Sequence, residues 1–463
     1  MPKATNGDVD CLVVGAGISG LATAFRLRQR GLTVTVFDAA QTAGGTIATD
    51  RLDGMLFERG PNGFLDSRPD ILKLAKDLGL EADLLRADDA AKKRYLLCGG
   101  ELVPAPSGPP SLISTPLMSW RGKARLVVEG LVPRGQNDSD ESLYQFAQRR
   151  VGREFANVFL DAMVTGIYAG DIHRLSARST FPRLVELESE HGSLTRALLH
   201  RLRSKRSGDG PAGPSGRLTS FSGGMATIIK ALTNHLEGSI VLGRRLRELS
   251  LQGEMFRLVF DAPDGPEIAA ARSVVLAIPA YAVAKLAGLP QPIREAASRI
   301  PYAPIAVAGL SYSRAQISHP LDGFGFLVPA HERCSLLGAL FSSTIFPGPE
   351  AKSDSVLIRA MLGGMRHPEL VENSSELLAK LAHGQLSPIL GISGQPAHTA
   401  VVKWSRGIPQ YHIGHAARLQ AIGEGVAAMP GLVITGNAFR GVSVDDCCRE
   451  AEATAERVRE LLS

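Results

Sequence analysis

Residues 10–38 read DCLVVGAGISGLATAFRLRQRGLTVTVFD, and this stretch decides the fold. The apolar run at 10–14 predicts a short buried strand, and apolar residues at helical spacing predict a helix over 18–30. Residues 33–38 predict a second strand. A strand, a helix and a strand in that order begin a parallel sheet, so the expected fold class is α/β.

The turn between the first strand and the helix is a G-x-G-x-x-G motif, with glycine at 15, 17 and 20. In this context Gly15 permits a tight turn, Gly17 lets the backbone approach phosphate groups, and Gly20 allows the helix to pack closely on the strand. The N-terminus of the helix attracts a pyrophosphate through its free N–H groups. Asp38 ends the second strand, where its carboxylate can accept hydrogen bonds from ribose and repels a 2′-phosphate. The motif therefore predicts a dinucleotide site and disfavours NADP.

Motifs further along the chain resemble those of the FAD-dependent amine oxidase superfamily. A short spacer after Asp38 leads to the pair Gly44-Gly45, and the run ERGPN follows at 58–62. Residues 435–446 (TGNAFRGVSVDD) resemble the second FAD motif of the same superfamily. The chain departs from the usual pattern twice, since the superfamily has Glu in place of Asp38 and Arg in place of Thr42. The resemblance implies non-covalently bound FAD in a Rossmann-like domain of the amine-oxidase and p-hydroxybenzoate-hydroxylase type.

Four more stretches resemble the oxygen-dependent protoporphyrinogen oxidase family within that superfamily. They are 165–171 (TGIYAGD), 323–329 (GFGFLVP), 337–343 (LGALFSS), and Trp404 with 407–411 (GIPQY). The resemblance implies an enzyme of haem biosynthesis that oxidises protoporphyrinogen IX, with O2 as acceptor and H2O2 as product. The flavin carries the redox chemistry, and the protein orients the macrocycle. Coproporphyrinogen III stays open as the substrate, because the two substrates differ in rim carboxylates that motifs do not reveal.

The resemblance also implies a substrate site for a broad apolar disc with acidic groups on its rim. Leu327, Leu340 and Met361 are expected to line the ring, as apolar walls suit such a ligand. Arg94 is expected to pair with a propionate, since a guanidinium matches a carboxylate in a bidentate pair. Gly166 is expected to offer its backbone carbonyl to a pyrrole N–H.

The resemblance places Asn62 near the edge of the flavin, and Asn62, Arg94 and Gly166 form the expected catalytic set. The last helix, expected from about residue 446, is predicted to stabilise the anionic reduced flavin with its N-terminal N–H groups. The expected FAD ligands are Gly15, Ala16, Gly17, Ile18, Ser19, Gly20, Asp38, Ala39, Gly44, Gly45, Gly60, Pro61, Asn62, Leu246, Trp404, Gly436, Asn437, Val442, Ser443 and Val444.

Cofactor motifs lie at both ends of the chain, so we expect a discontinuous FAD-binding domain. An α+β substrate domain and a helical domain are expected to occupy the insertions, and residues 120–205 are expected to be largely helical. The expected limits are 1–75, 215–285 and 425–463 for the FAD-binding domain, 76–95 and 286–424 for the substrate domain, and 96–214 for the helical domain.

The helical domain is expected to dock on a membrane surface, as it does in the family. The Pro-rich apolar tract at 102–120 and the basic loop at 203–217 suit such docking. Prolines at that density argue against a membrane-spanning helix. The resemblance further implies a homodimer and contact with a ferrochelatase. We expect a cytoplasmic protein that is peripheral to the inner face of the membrane.

Composition narrows the remaining classes of function. The net charge of +5 is spread along the chain without interleaved aromatics, which disfavours nucleic acid as a partner. The five cysteines lack a C-x-x-C spacing, which disfavours a metal site and favours a reducing compartment. The alternatives are an amine oxidase, a carotenoid or phytoene desaturase, and a non-catalytic FAD protein. Val307 and Val442 stand where amine oxidases carry a lysine and a tyrosine, which argues against amine oxidation.

Overall fold

The polypeptide folds into two large sheets joined by a helical region. The computed structural model describes residues 9–135, 140–203, 216–348 and 354–463. The strands of these residues are β1 (Cys11–Val14), β2 (Val34–Phe37), β3 (Thr49–Leu52), β4 (Met55–Glu58), β5 (Phe64–Leu65), β6 (Leu84–Arg86), β7 (Tyr95–Cys98), β8 (Glu101–Pro104), β9 (Leu218–Phe221), β10 (Ile240–Val241), β11 (Arg245–Gln252), β12 (Met255–Asp261), β13 (Glu267–Ala271), β14 (Ser273–Leu276), β15 (Tyr302–Ser313), β16 (Gly325–Leu327), β17 (Leu336–Phe341), β18 (Ser355–Gly363), β19 (His398–Pro409) and β20 (Leu432–Ile434).

The helices range from single turns to a C-terminal helix of 19 residues. Those of the described residues are α1 (Ile18–Gln29), α2 (Pro69–Asp77), α3 (Pro109–Ser114), α4 (Trp120–Val127), α5 (Leu143–Arg150), α6 (Arg153–Phe155), α7 (Asp161–Tyr168), α8 (Ala177–Thr180), α9 (Pro182–His191), α10 (Leu194–Arg203), α11 (Ala226–His235), α12 (Ala280–Val283), α13 (Gln291–Ser298), α14 (Ser342–Ile345), α15 (Ser375–Leu390), α16 (His415–Ala427) and α17 (Val444–Leu462).

The first large sheet is parallel and has the strand order β10-β2-β1-β14-β20. Its strands come from both ends of the chain and from the middle, so residues far apart in sequence meet at one edge. Helices α1, α11 and α17 cover one face. The antiparallel strands β11, β12 and β13 cover the other face, where the rings of Phe37 and Phe260 stack 4.3 Å apart. Burial on both faces explains why β1 and β14 are apolar throughout.

The second large sheet is mixed and has the order β19-β15-β18-β17-β16-β7-β8. One face packs on α15 through alternate residues such as Phe326, Ala339 and Ala360. The opposite face carries the neighbours of those residues, because successive side chains of a strand point to opposite sides. We call this second surface the inner face; it includes Leu327, Leu340, Arg359, Met361 and Val307.

Residues 96–104 correct one expectation. The sequence placed them at the start of the helical domain, but they lie in the hairpin β7–β8 at the edge of the mixed sheet. Gly99 and Gly100, with φ of +60° and +87°, connect the two strands. Two consecutive residues at positive φ match the twist of a β hairpin, and glycine adopts them without strain.

Helices α4 to α10 occupy most of the described part of 120–203, as the periodicity predicts. The buried Arg150 of α5 ties these helices together: it pairs with Glu129 at 2.5 Å and donates to the carbonyl oxygen of Gly192. The predicted loop at 203–217 falls largely outside the described residues. Within the described ranges, no helix combines the length and the apolar character needed to cross a bilayer.

Candidate active site

The turn after β1 has the shape expected of a phosphate-binding loop. Gly15 has φ of +113°, and a methyl group there would overlap the carbonyl oxygen of Ala277. A methyl group on Gly20 would overlap the carbonyl oxygen of Gly15, so only glycine permits this approach of α1. Gly17 differs, because no atom lies within 4 Å of the place that its Cβ would take. Open space therefore lies beside Gly17, at the N-terminal end of α1, where a helix attracts anions.

The second glycine pair packs directly on this turn. The backbone N–H of Gly44 donates to the carbonyl oxygen of Ala16 over 2.8 Å, and the Cβ position of Gly45 lies 3.4 Å from the Cα of Gly17. The carboxylate of Asp38 accepts hydrogen bonds from the backbone N–H groups of Ala16 and Ala40, at 2.6 and 2.7 Å. Asp38 thus braces the two loops on which the cofactor motif depends.

Leu246 and Ala39 are two further expected ligands. Leu246 is buried at a bulge of β11. The segment before it reaches the Asp38 loop, since the backbone N–H of Arg244 donates to the carbonyl oxygen of Asp38 over 2.7 Å. Ala39 is exposed on the same loop.

A third loop, Gly60 to Asn62, closes over the same edge of the sheet. A methyl group on Gly60 would overlap the carbonyl oxygen of Thr46, so the loop lies tightly against its neighbour. Trp404 holds the loop from β19 by donating its indole N–H to the carbonyl oxygen of Arg59 over 2.8 Å. Asn62 follows Pro61, and its side-chain nitrogen is buried without a hydrogen-bond partner.

The fourth loop, Gly436 to Ser443, connects β20 to α17. The phenol of Tyr411 clamps it, donating to the carbonyl oxygen of Asn437 over 2.5 Å and accepting from the backbone N–H of Gly441 over 2.8 Å. Gly436 has φ of +118° and open space at its Cβ position. The hydroxyl of Thr435 is buried without a partner.

These features test whether the residues fit FAD. Buried polar groups normally have hydrogen-bond partners, so the unpaired side chains of Asn62 and Thr435 indicate that a polar ligand completes them. The open positions at Gly17 and Gly436 leave room for it beside two loops. The four loops thus fit an extended dinucleotide, with Asp38 at one end and Asn62 at the other.

The last helix, α17, begins at a different residue than expected, and its first turn carries acidic residues. The helix begins at Val444, two residues early, because Ser443 caps it: the Ser443 hydroxyl accepts from the backbone N–H of Asp446 over 3.0 Å. Asp445 and Asp446 both lie in the first turn. Their negative charge offsets the positive end of the helix dipole. Stabilisation of an anionic flavin by this helix stays a prediction.

The expected substrate residues come together on the inner face. Leu327 of β16 lies opposite Gly338 of β17, and Gly338 in turn lies opposite Met361 of β18. Leu340 lies on the same face, directly opposite Arg359. Helix α7 covers this wall, and a Cβ on its Gly166 would lie 3.2 Å from a methyl group of Leu327.

Arg94 lies at the margin of this wall. It is exposed, and its guanidinium carbon lies 5.4 Å from the centre of the Phe324 ring. Phe324 packs in one cluster with Leu340, which connects Arg94 to the expected wall. A cation above an aromatic ring keeps its hydrogen-bond donors free for an anion.

Two residues near the loops were missed by sequence reasoning. Arg359 lies buried among apolar neighbours in the run SVLIRAMLG at 355–363, and a charge in such a strand signals a special role. Tyr411 was noted only as part of a motif, and its clamp depends on a contact between distant segments that no local pattern reveals.

Comparison with known proteins assigns a family. A model of flavin containing amine oxidoreductases matches residues 18–459. The chain is 34% identical to protoporphyrinogen oxidase from Bos taurus, covering 96% of this chain and 98% of that one. It is 30% identical to coproporphyrinogen III oxidase from Bacillus subtilis (strain 168), covering 97% of both. A solved structure from Exiguobacterium sp. 255-15, provisionally named a protoporphyrinogen oxidase, superimposes with a TM-score of 0.83 at 27% identity, covering 98% of this chain and 99% of that one.

The fold, the four glycine-bearing loops and these relatives agree on the cofactor and on the class of reaction. The cofactor is FAD, the fold is the mixed α/β fold of flavin amine oxidases, and the protein is an oxidoreductase. With nearly the whole length matched, the chain belongs to the flavin containing amine oxidoreductase family.

Proposed function

We propose that this enzyme oxidises protoporphyrinogen IX to protoporphyrin IX, with O2 as the electron acceptor and H2O2 as the product. The observation that carries the proposal is the inner face, where Leu327, Leu340 and Met361 form an apolar wall beneath Gly166. An apolar wall with the exposed Arg94 at its margin, and with the buried Arg359 opposite Leu340, suits a disc whose acidic groups lie on the rim. The named bovine relative supports the same substrate class.

FAD supplies the redox chemistry by taking a hydride from the substrate and passing electrons to oxygen. The residues of this chain bind and orient the macrocycle. Gly166 lies in the last turn of α7, where carbonyl groups lack a partner within the helix, so its carbonyl can accept a pyrrole N–H. Arg94 pairs with a propionate at the margin, which fixes the rotation of the disc over the wall.

Coproporphyrinogen III is the second candidate substrate, because the Bacillus relative carries that name over the same share of the chain. The deciding experiment mixes the FAD-loaded protein anaerobically with each porphyrinogen and follows the loss of flavin absorbance. Rapid bleaching by protoporphyrinogen IX alone supports the proposal. Bleaching by coproporphyrinogen III alone replaces the substrate, and bleaching by neither removes the porphyrinogen assignment.

The role of Arg94 is tested with Arg94→Met. Losing the propionate partner should raise the KM at least tenfold while kcat changes little, because the contact lies away from the reacting carbon. Arg86→Met is the matched control, since the side chain of Arg86 is 68% exposed and pairs with Asp66 on the surface. Equal kinetics for Arg94→Met and the parent would contradict the assigned role.

Amine oxidation is disfavoured by the surroundings of Val307. This side chain is buried with Met55, Phe57 and Leu357, and valine stands at the position where amine oxidases carry a lysine. Putrescine oxidase superimposes with a TM-score of 0.69 at 17% identity, which reflects the fold alone. Oxygen uptake with putrescine or cyclohexylamine as substrate provides the check, and turnover faster than with either porphyrinogen would favour amines.

We further propose that the helical region docks on a membrane surface. Four large apolar side chains of α3, α4 and the following turn point outward: Ile113, Trp120, Val127 and Leu131 are between 71% and 80% exposed. The exposed basic side chain of Arg121 lies among them on α4, a pattern that favours anionic lipid.

Flotation with vesicles of phosphatidylcholine and phosphatidylglycerol tests the docking. The parent should float at low salt, and a Trp120→Ser/Val127→Ser variant should not. Leu377→Ser is the control, because Leu377 is an exposed apolar residue of α15, far along the chain from the helical region. A parent that stays unbound at low salt would exclude the proposal.

The remaining partners and the limits of the domains are proposed by analogy with the family. They comprise a homodimer, contact with a ferrochelatase, and the domain limits 1–75, 215–285 and 425–463 for the FAD-binding part. Sedimentation at several concentrations tests the dimer. Limited proteolysis of the FAD-loaded protein tests the limits of the helical region.

A further inference from the structure

The inner face carries a buried cation beside the apolar residues of the substrate wall. Arg359 lies in β18 and is 4% exposed, opposite Leu340 and two residues before Met361. Burying a guanidinium removes its hydration, so a charge at such a position needs compensation from its surroundings.

The surroundings of Arg359 compensate it only in part. Its guanidinium donates one hydrogen bond, to the carbonyl oxygen of Gly60, and its Nε is buried without a partner. Within the described residues, Arg359 forms no ion pair. Burial lowers the pKa of Arg359 to about 10, against the attraction of Glu58, so the group stays protonated at neutral pH.

The nearby charged groups are engaged elsewhere. The carboxylate of Glu58 accepts hydrogen bonds from the backbone N–H of Met225 and the hydroxyl of Thr49, both at 2.8 Å. Arg59, the other cation of this loop, pairs with Asp50 at 3.7 Å. Glu58 therefore offsets the positive potential of Arg359 only through space, without a direct ion pair between the two side chains.

This potential acts where the flavin site lies. Gly60 begins the loop that leads to Asn62, whose amide nitrogen lacks a partner. The other source of positive potential, the start of α17, carries Asp445 and Asp446 in its first turn. A flavin that becomes anionic on reduction needs a positive group in its surroundings, and a charge in a water-excluded site acts strongly.

We propose that Arg359 is a positioning residue that holds the Gly60–Asn62 loop against the flavin and that its charge sets the flavin's electron affinity. The charge favours anionic states of the cofactor, namely the reduced form and the adduct of oxidised flavin with an added anion. The inference rests on the bound FAD and not on the identity of the substrate, so it stands or falls independently of the porphyrinogen assignment.

The test compares variants of the FAD-loaded protein by sulfite titration and by redox titration against a dye. Arg359→Met should weaken sulfite binding at least tenfold. It should also shift the equilibrium between oxidised and reduced flavin tenfold toward the oxidised form, which equals about 30 mV for a two-electron couple. Arg359→Lys keeps the charge and should remain within threefold of the parent in both measurements.

Glu58→Gln supplies a readout that structural damage would not mimic. The amide of this variant is neutral and keeps an acceptor for the N–H of Met225, so removing the negative charge should tighten sulfite binding at pH 8, opposite to Arg359→Met.

Arg183→Met is the matched control, as this exposed arginine of α9 pairs only with surface glutamates. The proposal would be overturned if Arg359→Met and Glu58→Gln changed sulfite binding in the same direction. It would also be overturned if Arg359→Met left sulfite binding unchanged. If Arg359→Met does not retain FAD, Arg359→Lys and Glu58→Gln decide. Sulfite binding weakened more than threefold in Arg359→Lys, or weakened in Glu58→Gln, would equally overturn the proposal.

Discussion

Gly17 and Gly20 belong to one turn, yet a methyl group would meet different surroundings at each. At Gly20 it would enter the carbonyl oxygen of Gly15, whereas at Gly17 it would enter open space. The backbone of Gly17, with φ of −75°, is available to any residue. Gly20 thus serves the fold of the apoprotein, and Gly17 serves the ligand.

This contrast predicts opposite phenotypes for two alanine variants. Gly17→Ala should leave the urea stability of the apoprotein within about 0.5 kcal/mol of the parent. It should weaken FAD binding at least tenfold, because the methyl group occupies space beside the N-terminus of α1. Gly20→Ala should cost the apoprotein roughly 3 kcal/mol through overlap in a packed region. Fluorescence titration with FAD measures the affinities, and unchanged affinity in Gly17→Ala would disprove its assigned role.

At the scale of elements, sequence patterns located the first strand, helix and strand, the helical region and the last helix, but not their exact ends. The β7–β8 hairpin was missed although two short runs separated by Gly99-Gly100 are a hairpin signal. Helix α17 begins before its expected start because Ser443 and Asp446 form a capping box that the apolar pattern does not show. Local patterns predict an element, whereas side-chain caps and turns decide its ends.

Contacts between elements were beyond sequence reasoning. The motif around Gly166 was recognised from the sequence. Arg366, which binds the helix that contains this motif, carries no sequence signal. Arg366 donates to Asp161 and Thr165 of α7, both over 2.5 Å, and to the carbonyl oxygen of Val328 over 2.6 Å. These bonds join α7 to the strands that bear the substrate wall.

Arg366→Met should therefore weaken the attachment of α7 to the strands of the substrate wall without affecting the cofactor site. We expect the KM for the porphyrinogen to rise about tenfold, since Gly166 would no longer be held at its place over Leu327. The affinity for FAD should stay within twofold of the parent. Steady-state kinetics and FAD titration measure the two effects, with Arg183→Met as the control. A variant that loses FAD and substrate affinity together would show that Arg366 supports the whole fold.

The parallel sheet and the helical region of the molecule differ in the contacts that stabilise them. The parallel sheet is buried between layers of apolar side chains, whereas the helical region adds ionic contacts around Arg150 to an apolar cluster of its own. Glu129 accepts hydrogen bonds from the hydroxyl of Ser193 and the backbone N–H of Thr195, at 2.6 and 2.8 Å. Such a network stabilises only while its carboxylate remains charged.

Acid should therefore weaken the helical region in a way that depends on Glu129. Burial raises the pKa of Glu129, but hydrogen bonds from Ser193 and Thr195 outweigh it and lower the pKa to about 2. A carboxyl whose pKa is lowered by folding stabilises the protein fully above its unfolded value, near 4.5, and loses that contribution as the pH falls toward 2. Glu129→Gln should cost about 3 kcal/mol at pH 6, and the difference from the parent should shrink by about 1.4 kcal/mol per pH unit below pH 4.5.

The two tryptophans of the chain allow this difference to be assigned to one part of the molecule. Trp120 lies exposed in the helical region, and Trp404 lies beside the FAD loops. Urea unfolding of the Trp404→Phe protein, followed by Trp120 fluorescence, should report the effect of Glu129→Gln, while release of FAD should occur at an unchanged urea concentration. If flavin release shifts equally with Trp120, the helical region and the parallel sheet unfold as one cooperative unit, and the ionic network around Arg150 stabilises the whole chain.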